Sequence, residues 1–425
     1  MIPSSFEMIT RTILPSTQPS AATTSLEGWV FIETKEILDV RQFLSPLCSG
    51  MNAQISRTLS SAEKLAWLRL IRSDNIGPIT FHRLMERFGS AEAALSAVPG
   101  MAKRGGGKAI KLCTKAAAER ELKALDDIGA GLVALCEPDY PPLLAQIDDA
   151  PPVLSVRGHT HLLKKRALAI VGARNASING RTFAQRLAGD LGRAGVLVVS
   201  GFARGIDAAA HEGALETGTV AVMAGGIDVI YPKENATLYD QILERGAMVS
   251  EIAPGTQPQA RHFPRRNRLV SGMSRGVAVI EAGRKSGSLI TARMALEQGR
   301  EVFAVPGSPQ DPRAGGANDL IRQGAVLTEN AADIMENLKN LAPPALRERK
   351  GIDFKEEIVP PPADDILAEA RETVLQALGP SPVTVDEIIR GCQLSHATVA
   401  WVLLELELGG RIERHPGNAV SLLYA

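Results

Sequence analysis

The sequence predicts an α/β protein: a doubly wound, mostly parallel sheet flanked by an N-terminal helical domain and a C-terminal winged helix. Three observations carry that prediction. Apolar runs at 167–171, 196–199, 219–223, 247–249, 277–280, 302–305 and 325–327 alternate with helical stretches, the pattern of strands joined by crossover helices. The segment Ser200-Gly-Phe-Ala-Arg-Gly-Ile-Asp207 joins the apolar run Val196-Leu-Val-Val199 to a helix through Ala208 to Ala210. Such a turn lies at the carboxyl ends of the strands, where open α/β sheets bind ligands. After a Pro-rich stretch come three short helical patterns and a hairpin over Arg411–Leu423, which read as a winged helix.

Length and composition bound the rest. A chain of 425 residues implies about two to four domains. The net charge is zero, which excludes a generic polyanion coat and confines nucleic-acid binding to a local basic patch. No apolar run reaches the length of a membrane span, and no secretory signal pattern opens the chain. Cys48, Cys113, Cys136 and Cys392 are scattered without C-x-x-C spacing, so they read as free thiols in a reducing cytoplasm, not disulfides or a metal site.

Residues 1–57 read as a Ser/Thr/Pro-rich mobile leader, with Met51 an alternative start. A helical domain follows over 58–127. Ser60-x-x-Glu63 is a capping box ahead of an apolar-periodic helix, Leu65–Ile71. Gly77-Pro78 opens a second helix, and Val98-Pro-Gly100 predicts a similar break. The domain is similar to helix-hairpin-helix or sterile-alpha-motif units, whose glycine N–H groups can cradle phosphates; a structural cap is the other reading. Connecting strands occupy 128–164, the sheet domain 165–341, a linker with Pro343-Pro344 and Pro360-Pro-Pro362 spans 342–363, and the winged helix covers 364–425.

The turns carry the chemistry. Ile170-Val-Gly-Ala-Arg-Asn-Ala-Ser177 contains no G-x-G-x-x-G, and Arg104-Gly-Gly-Gly-Lys108 has Ala102 where a phosphate loop needs glycine. NAD, FAD and ATP are therefore disfavoured, and no cofactor or metal is expected. Gly172 and Arg174, then Gly201 and Arg204, suit a phosphate instead. The densest basic cluster, Arg261-His-Phe-Pro-Arg-Arg-Asn-Arg268, offers Arg261, Arg265, Arg266 and Asn267 to phosphates and Phe263 to a base. Its plainer reading is a charged helix face turned to water. Glu281-Ala-Gly-Arg-Lys-Ser-Gly-Ser288 places Ser286, Gly287 and Ser288 at a helix start. Gly226–Asn235 brings Lys233 to the rim and reads as closing a sheet edge. Several phosphate-suited turns on one rim point to a groove that holds single-stranded DNA without reading its sequence.

Together these residues resemble the DNA-processing protein A family (DprA, also called Smf). The signatures are Val171-Gly-Ala-Arg174, Ser200–Asp207, Tyr231-Pro232, His262-Phe-Pro-x-Arg-Asn-Arg268, Ser286-Gly-Ser-Leu-Ile-Thr-Ala292 and Pro306-Gly307, spread over roughly residues 60–340. The resemblance implies an extended Rossmann-like domain that dimerises. It also implies a non-enzymatic role: binding single-stranded DNA and loading RecA onto it during natural transformation and recombination. Carried over by position, phosphate contacts fall on Arg174, Lys233 and Arg266, and Phe263 stacks on a base. Some members carry a lysine three residues before that phenylalanine; here the position is Ala260, with Arg261 the nearest substitute.

The sheet domain also looks like the lonely-guy phosphoribohydrolases. The acids of their Gly-x-Gly-Thr-x-x-Glu and Gly-Ile-x-Glu turns are replaced by Thr291 and Ala208, and general acid–base work needs a positioned carboxylate. Asp207 and Glu281 remain, readable as a helix cap and a strand-end anchor. The winged helix has nine acids against four arginines, and its expected reading helix, Ser395–Leu408, has no Lys or Arg. Phosphate contacts dominate duplex affinity, so a protein-interaction or regulatory role is expected there.

Overall fold

A computed structural model describes residues 57–106, 110–340, 364–415 and 417–423. The expected leader (apart from Arg57), the start at Met51 and the linker over 342–363 lie outside these residues.

The helical domain comprises α1 (Ser61–Ile71), α2 (Pro78–Phe88), α3 (Ala91–Arg104) and α4 (Lys115–Asp127). The capping box forms as the sequence dictates: Glu63 N donates to Ser60 Oγ at 3.3 Å, and Ser60 N donates to Glu63 Oε2 at 2.9 Å. Pro78 sits in the first turn of α2, where its missing N–H is no loss. The expected break at Val98-Pro-Gly100 does not occur; α3 runs through Pro99. Val98, Met101 and Ala102 are buried on both sides of that proline, and this packing outweighs the lost helical hydrogen bond. Trp67 and Phe81 meet edge to face, 5.1 Å between centroids.

The sheet has nine strands: β1 (Ala130–Ala134), β2 (Val153–Gly158), β3 (Ala167–Gly172), β4 (Leu197–Ser200), β5 (Thr219–Val222), β6 (Ala247–Ser250), β7 (Gly276–Ile280), β8 (Glu301–Ala304) and β9 (Val326–Leu327). Their order is β1-β2-β6-β5-β4-β3-β7-β8-β9. Strands β3 to β9 pair parallel, while β1 and β2 are antiparallel additions on the β6 side. The connecting strands therefore extend the sheet. Helices α5 (Ile178–Arg193), α6 (Ile206–Ala214), α7 (Ala236–Arg245), α8 (His262–Gly272), α9 (Ser288–Glu297) and α10 (Gly315–Arg322) lie in the crossovers, and α11 (Ala331–Asn340) follows β9. They cover both faces, so β3 to β7 read as near-continuous apolar runs. Strand β5 lies inside the sheet, so the Gly226–Asn235 turn closes an interior strand and not an edge.

After β3 the chain winds outward through β4, β5 and β6, then returns to place β7 on the other side of β3. The order therefore reverses between β3 and β7, and a crevice must open beyond their carboxyl ends.

The winged helix comprises α12 (Asp364–Ala377), β10 (Val383–Thr384), α13 (Val385–Cys392), α14 (His396–Leu408), β11 (Ile412–His415) and β12 (Ala419–Leu422). Its expected reading helix, α14, packs against α3 of the helical domain. Glu405 is fully buried between Arg104 of α3, at 2.7 Å, and Arg371 of α12, at 2.5 Å. Arg87 stacks on the Trp401 ring, and Thr80 donates to Glu407 at 2.7 Å. A reading helix without basic residues is thus explained: its surface joins two domains.

Candidate nucleic-acid interface

Three turns meet at the crevice, and each is fixed by a residue that sequence reasoning either missed or read as merely structural. The turn after β3 carries Gly172, Arg174 and Asn175. Gly205, at φ +84°, is pressed against the backbone of Ala173 and Arg174, where a β-carbon would overlap. Ile206 N donates to Ala173 O at 3.2 Å, joining the first turn to the second.

The second turn, after β4, is held from below. Asp207 is buried and accepts from Gly201 N and Ala203 N at 3.2 and 3.3 Å. Burial raises its pKa, opposed by the Arg266 charge and by these two bonds. Arg266 Nη1 donates to Gly201 O and, at 3.0 Å, to Val222 O. Phe202 has φ +57° with its ring in the core, a conformation that persists only when its surroundings impose it. Asn235 closes the arrangement, its Nδ2 donating to Phe202 O at 3.0 Å. That residue ties the Lys233 turn to the Arg204 turn. Its sequence signal was a lone asparagine at the start of α7.

The third turn, after β7, is anchored by Glu281, which accepts from Ser177 N at 2.8 Å and from Ser177 Oγ. Ser286 Oγ and Ser288 Oγ lie 2.7 Å apart at the start of α9, and Gly287 is exposed beside them.

These turns line two adjoining cavities of about 530 and 410 Å³. Arg174, Gly201, Ala203, Arg204 and Phe263 belong to both, so the two are compartments behind one rim. The larger adds Gly172, Asn267 and Ser286–Ser288; the smaller adds Tyr231 and Lys233. Arg174, Arg204 and Lys233 are exposed and make no ion pair among the described residues.

The basic cluster on α8 divides. Arg266 is 6% exposed and Arg268 is 7% exposed, so neither is a free phosphate fork. Burial pushes the Arg266 pKa down to about 10 against the pull of Asp207, and its Nε has no hydrogen-bond partner. Arg266 lines the larger cavity, and its guanidinium fastens the Gly201 turn to β5. Arg265 is tied to Glu251 at 2.9 Å, and Arg268 to Glu251 and Asp149. Arg261 is exposed but outside the lining of both cavities. Phe263 lines both cavities, with the Arg174 guanidinium 4.9 Å over one face of its ring.

Of the two carboxylates left to a hydrolase reading, Asp207 accepts two backbone N–H groups on Oδ2, and Glu281 accepts the backbone N–H and the hydroxyl of Ser177. Among the described residues no His/Cys/Asp/Glu group could hold a metal ion, and no helix is long and apolar enough to cross a membrane.

Comparison with known proteins decides the family. The family model described as DNA recombination-mediator protein A matches residues 131–339, a DprA-like N-terminal HHH domain matches 61–124, and a DprA winged helix domain matches 359–418. Protein Smf of Escherichia coli is 40% identical over 289 residues, 67% of this chain and 75% of that one. The chain belongs to the DprA/Smf family. DNA processing protein DprA of Bacillus subtilis is 46% identical over 222 residues, covering 52% of this chain and 75% of the relative. The crystal structure of DNA processing protein A from Streptococcus pneumoniae aligns with a TM-score of 0.55 at 33% identity, covering 66% of this chain and 98% of that one. The DprA likeness agrees with the architecture: helical domain, doubly wound sheet and winged helix.

Proposed function

We propose that this DprA-family protein binds single-stranded DNA, without reading its sequence, along the rim at the β3/β7 switch point. It then hands the strand to RecA in DNA uptake and recombination. One observation carries the reading: two joined compartments carry cations without ion pairs among the described residues, Arg174 and Arg204 on both and Lys233 on the smaller. Cations spaced along a groove track a phosphate backbone, and an adjoining aromatic wall suits unstacked bases. The turn at Ser286, Gly287 and Ser288 adds a helix start for another phosphate. Relatives named for DNA processing support the assignment. The protein acts by holding DNA and not by hydrolysis, since its candidate carboxylates are engaged in fixing the turns. A homodimer through the Rossmann-like domain would present two grooves to one strand and raise its effective affinity.

The test pairs two assays on the full chain. Gel shifts at two salt concentrations should favour single strands over duplex of equal length, with affinity falling steeply as salt rises. RecA nucleation on DNA coated with single-strand-binding protein should accelerate when this protein is added with ATP. Equal affinity for duplex contradicts the binding reading. Unchanged nucleation, with no RecA recovered in pull-down, contradicts the loading step alone. Release of free base from a nucleoside monophosphate would return the phosphoribohydrolase alternative.

A further inference from the structure

The groove lies beyond the carboxyl ends of β3 and β7. At the amino ends of the same strands stands a different set of cations. Arg166 precedes β3, Arg275 precedes β7 and Arg300 precedes β8, and these three strands are neighbours in the order β3-β7-β8. Arg275 N donates to Ala167 O at 2.9 Å, and Glu301 N donates to Arg275 O at 3.2 Å, so the arginines head their strands side by side. Gly276 pairs in register with Glu301, which sets Arg275 beside Arg300 at a strand separation of about 4.8 Å. Lys165, exposed, adds a fourth cation next to Arg166.

The fold leaves this row uncompensated. Arg275 and Arg300 carry like charges on adjacent strands, an arrangement that repels. Burial, joined by the Arg275 charge, lowers the Arg300 pKa. Among the described residues Lys165, Arg166, Arg275 and Arg300 make no ion pair. Glu301 stands at the same end, but strand alternation turns it to the opposite face from Arg300. Nor do the arginines cap the helices that end nearby: Met273 N and Gln298 N close α8 and α9 on Leu269 O and Met294 O. Arg300 Nη2 donates to Leu143 O at 2.8 Å, outside both helices, and its Nε has no partner.

Resting on the single-strand reading of the groove, we infer that this row is a second phosphate site, which takes the backbone of a nucleic-acid strand at the end of the sheet opposite the groove. Arginine forks match phosphate oxygens bidentately, which sets the chemistry. The width sets the source. Three strands span about 10 Å, more than one phosphate group bridges, so successive phosphates of a polymer fill the row and a free phosphate does not. Strands β3 and β7 have six and five residues, about 17–20 Å of sheet, so the row and the groove cannot share a phosphate. They are separate contacts, reached by one long strand that rounds the sheet or by two strands.

The experiment is an arginine footprint on the full chain. Modification by phenylglyoxal is read residue by residue by mass spectrometry. It is run with a thymidine 60-mer, with inorganic phosphate at the same phosphate concentration, and with poly-glutamate of equal charge. The 60-mer should protect Arg166 and Arg275 along with Arg174 and Arg204, and the other two probes should leave Arg166 and Arg275 reactive. The double variant Arg166→Ala with Arg275→Ala should flatten the salt slope on the 60-mer by about 1.4, two contacts at about 0.7 each. Lys165→Glu reverses an exposed charge ahead of the strand and should flatten it as well, which keeps the test valid if the double variant folds poorly. Protection of Arg166 and Arg275 by inorganic phosphate would make the row a small-anion site, and protection by poly-glutamate would make it a surface for acidic protein; either result overturns the strand assignment. Arg166 and Arg275 left reactive by the 60-mer, with Arg174 and Arg204 protected, would overturn the row while the groove stands. Arg174 and Arg204 left reactive would overturn the groove reading instead.

Discussion

Arg174 and Arg266 show how two arginines near one cavity acquire different work. Arg174 projects from a turn, exposed and without an ion pair; Arg266 comes up through the floor and gives its Nη1 to two carbonyls. In sequence both were arginines beside phosphate-suited turns, and nothing in a single chain separates an outward helix position from an inward one until α8 is docked. Arg174→Ala should therefore lower single-strand affinity on every sequence alike, whereas Arg266→Ala should act on the fold. It leaves the carbonyls of Gly201 and Val222 without their donor and removes a positive charge near buried Asp207, at a cost of about 1–3 kcal/mol, read as a lower urea midpoint with an unchanged slope. A full-stability Arg266→Ala protein with a reduced salt slope would reverse the two roles. His211 adds a pH dependence. It is fully buried, and burial with the nearby Arg266 charge holds its pKa down at about 3 from 6.5. Between those values the unfolded chain binds the extra proton, so stability falls as pH drops from about 6.5 towards 3. Thermal melts across that window should show a smaller acid loss for His211→Gln; an identical loss would mean other groups control it.

At the level of elements, the turns were legible because their chemistry is local: glycines beside an apolar run announce a strand-to-helix junction. What ties the turns together was not, because Asn235, Glu281 and Asp207 act across 32 to 104 residues of sequence or look like ordinary caps. The Pro99 misreading has the same origin. A proline signal is strong locally, yet tertiary burial of Val98 and Met101 overrides it. Helix α14 is the clearest case. Its lack of basic residues argues against duplex reading, but only the fold reveals what covers it. Glu405→Ala would leave Arg104 and Arg371 facing each other across that interface. Breaking a buried charge cluster costs about 3–5 kcal/mol, and the lower end applies since Arg104 is 41% exposed. Chemical denaturation should register this loss, with the helical domain and winged helix separating first under limited proteolysis. Unaltered stability would show that the two domains dock without the cluster.

For the whole molecule, the same interface changes what truncation means. A Pro-rich linker suggests an independently folded winged helix, but its α14 shares an apolar core with α1, α2 and α3. Removal of 364–425 should leave single-strand affinity within about threefold, because no groove residue lies there, yet lower solubility by baring the α3 face. A large affinity loss in a soluble, correctly assembled truncation would place part of the groove on the winged helix. The central claim is that a groove at the sheet's switch point holds single-stranded DNA by its phosphates, with Arg174 on the rim. It is tested most directly by measuring the affinity of the full chain for a thymidine 20-mer across a series of salt concentrations, with and without Arg174→Ala. The account predicts a linear fall of log affinity with log salt, made shallower by about 0.7 in the variant, the share of one phosphate contact on a single strand. Parallel lines for the two proteins would contradict it.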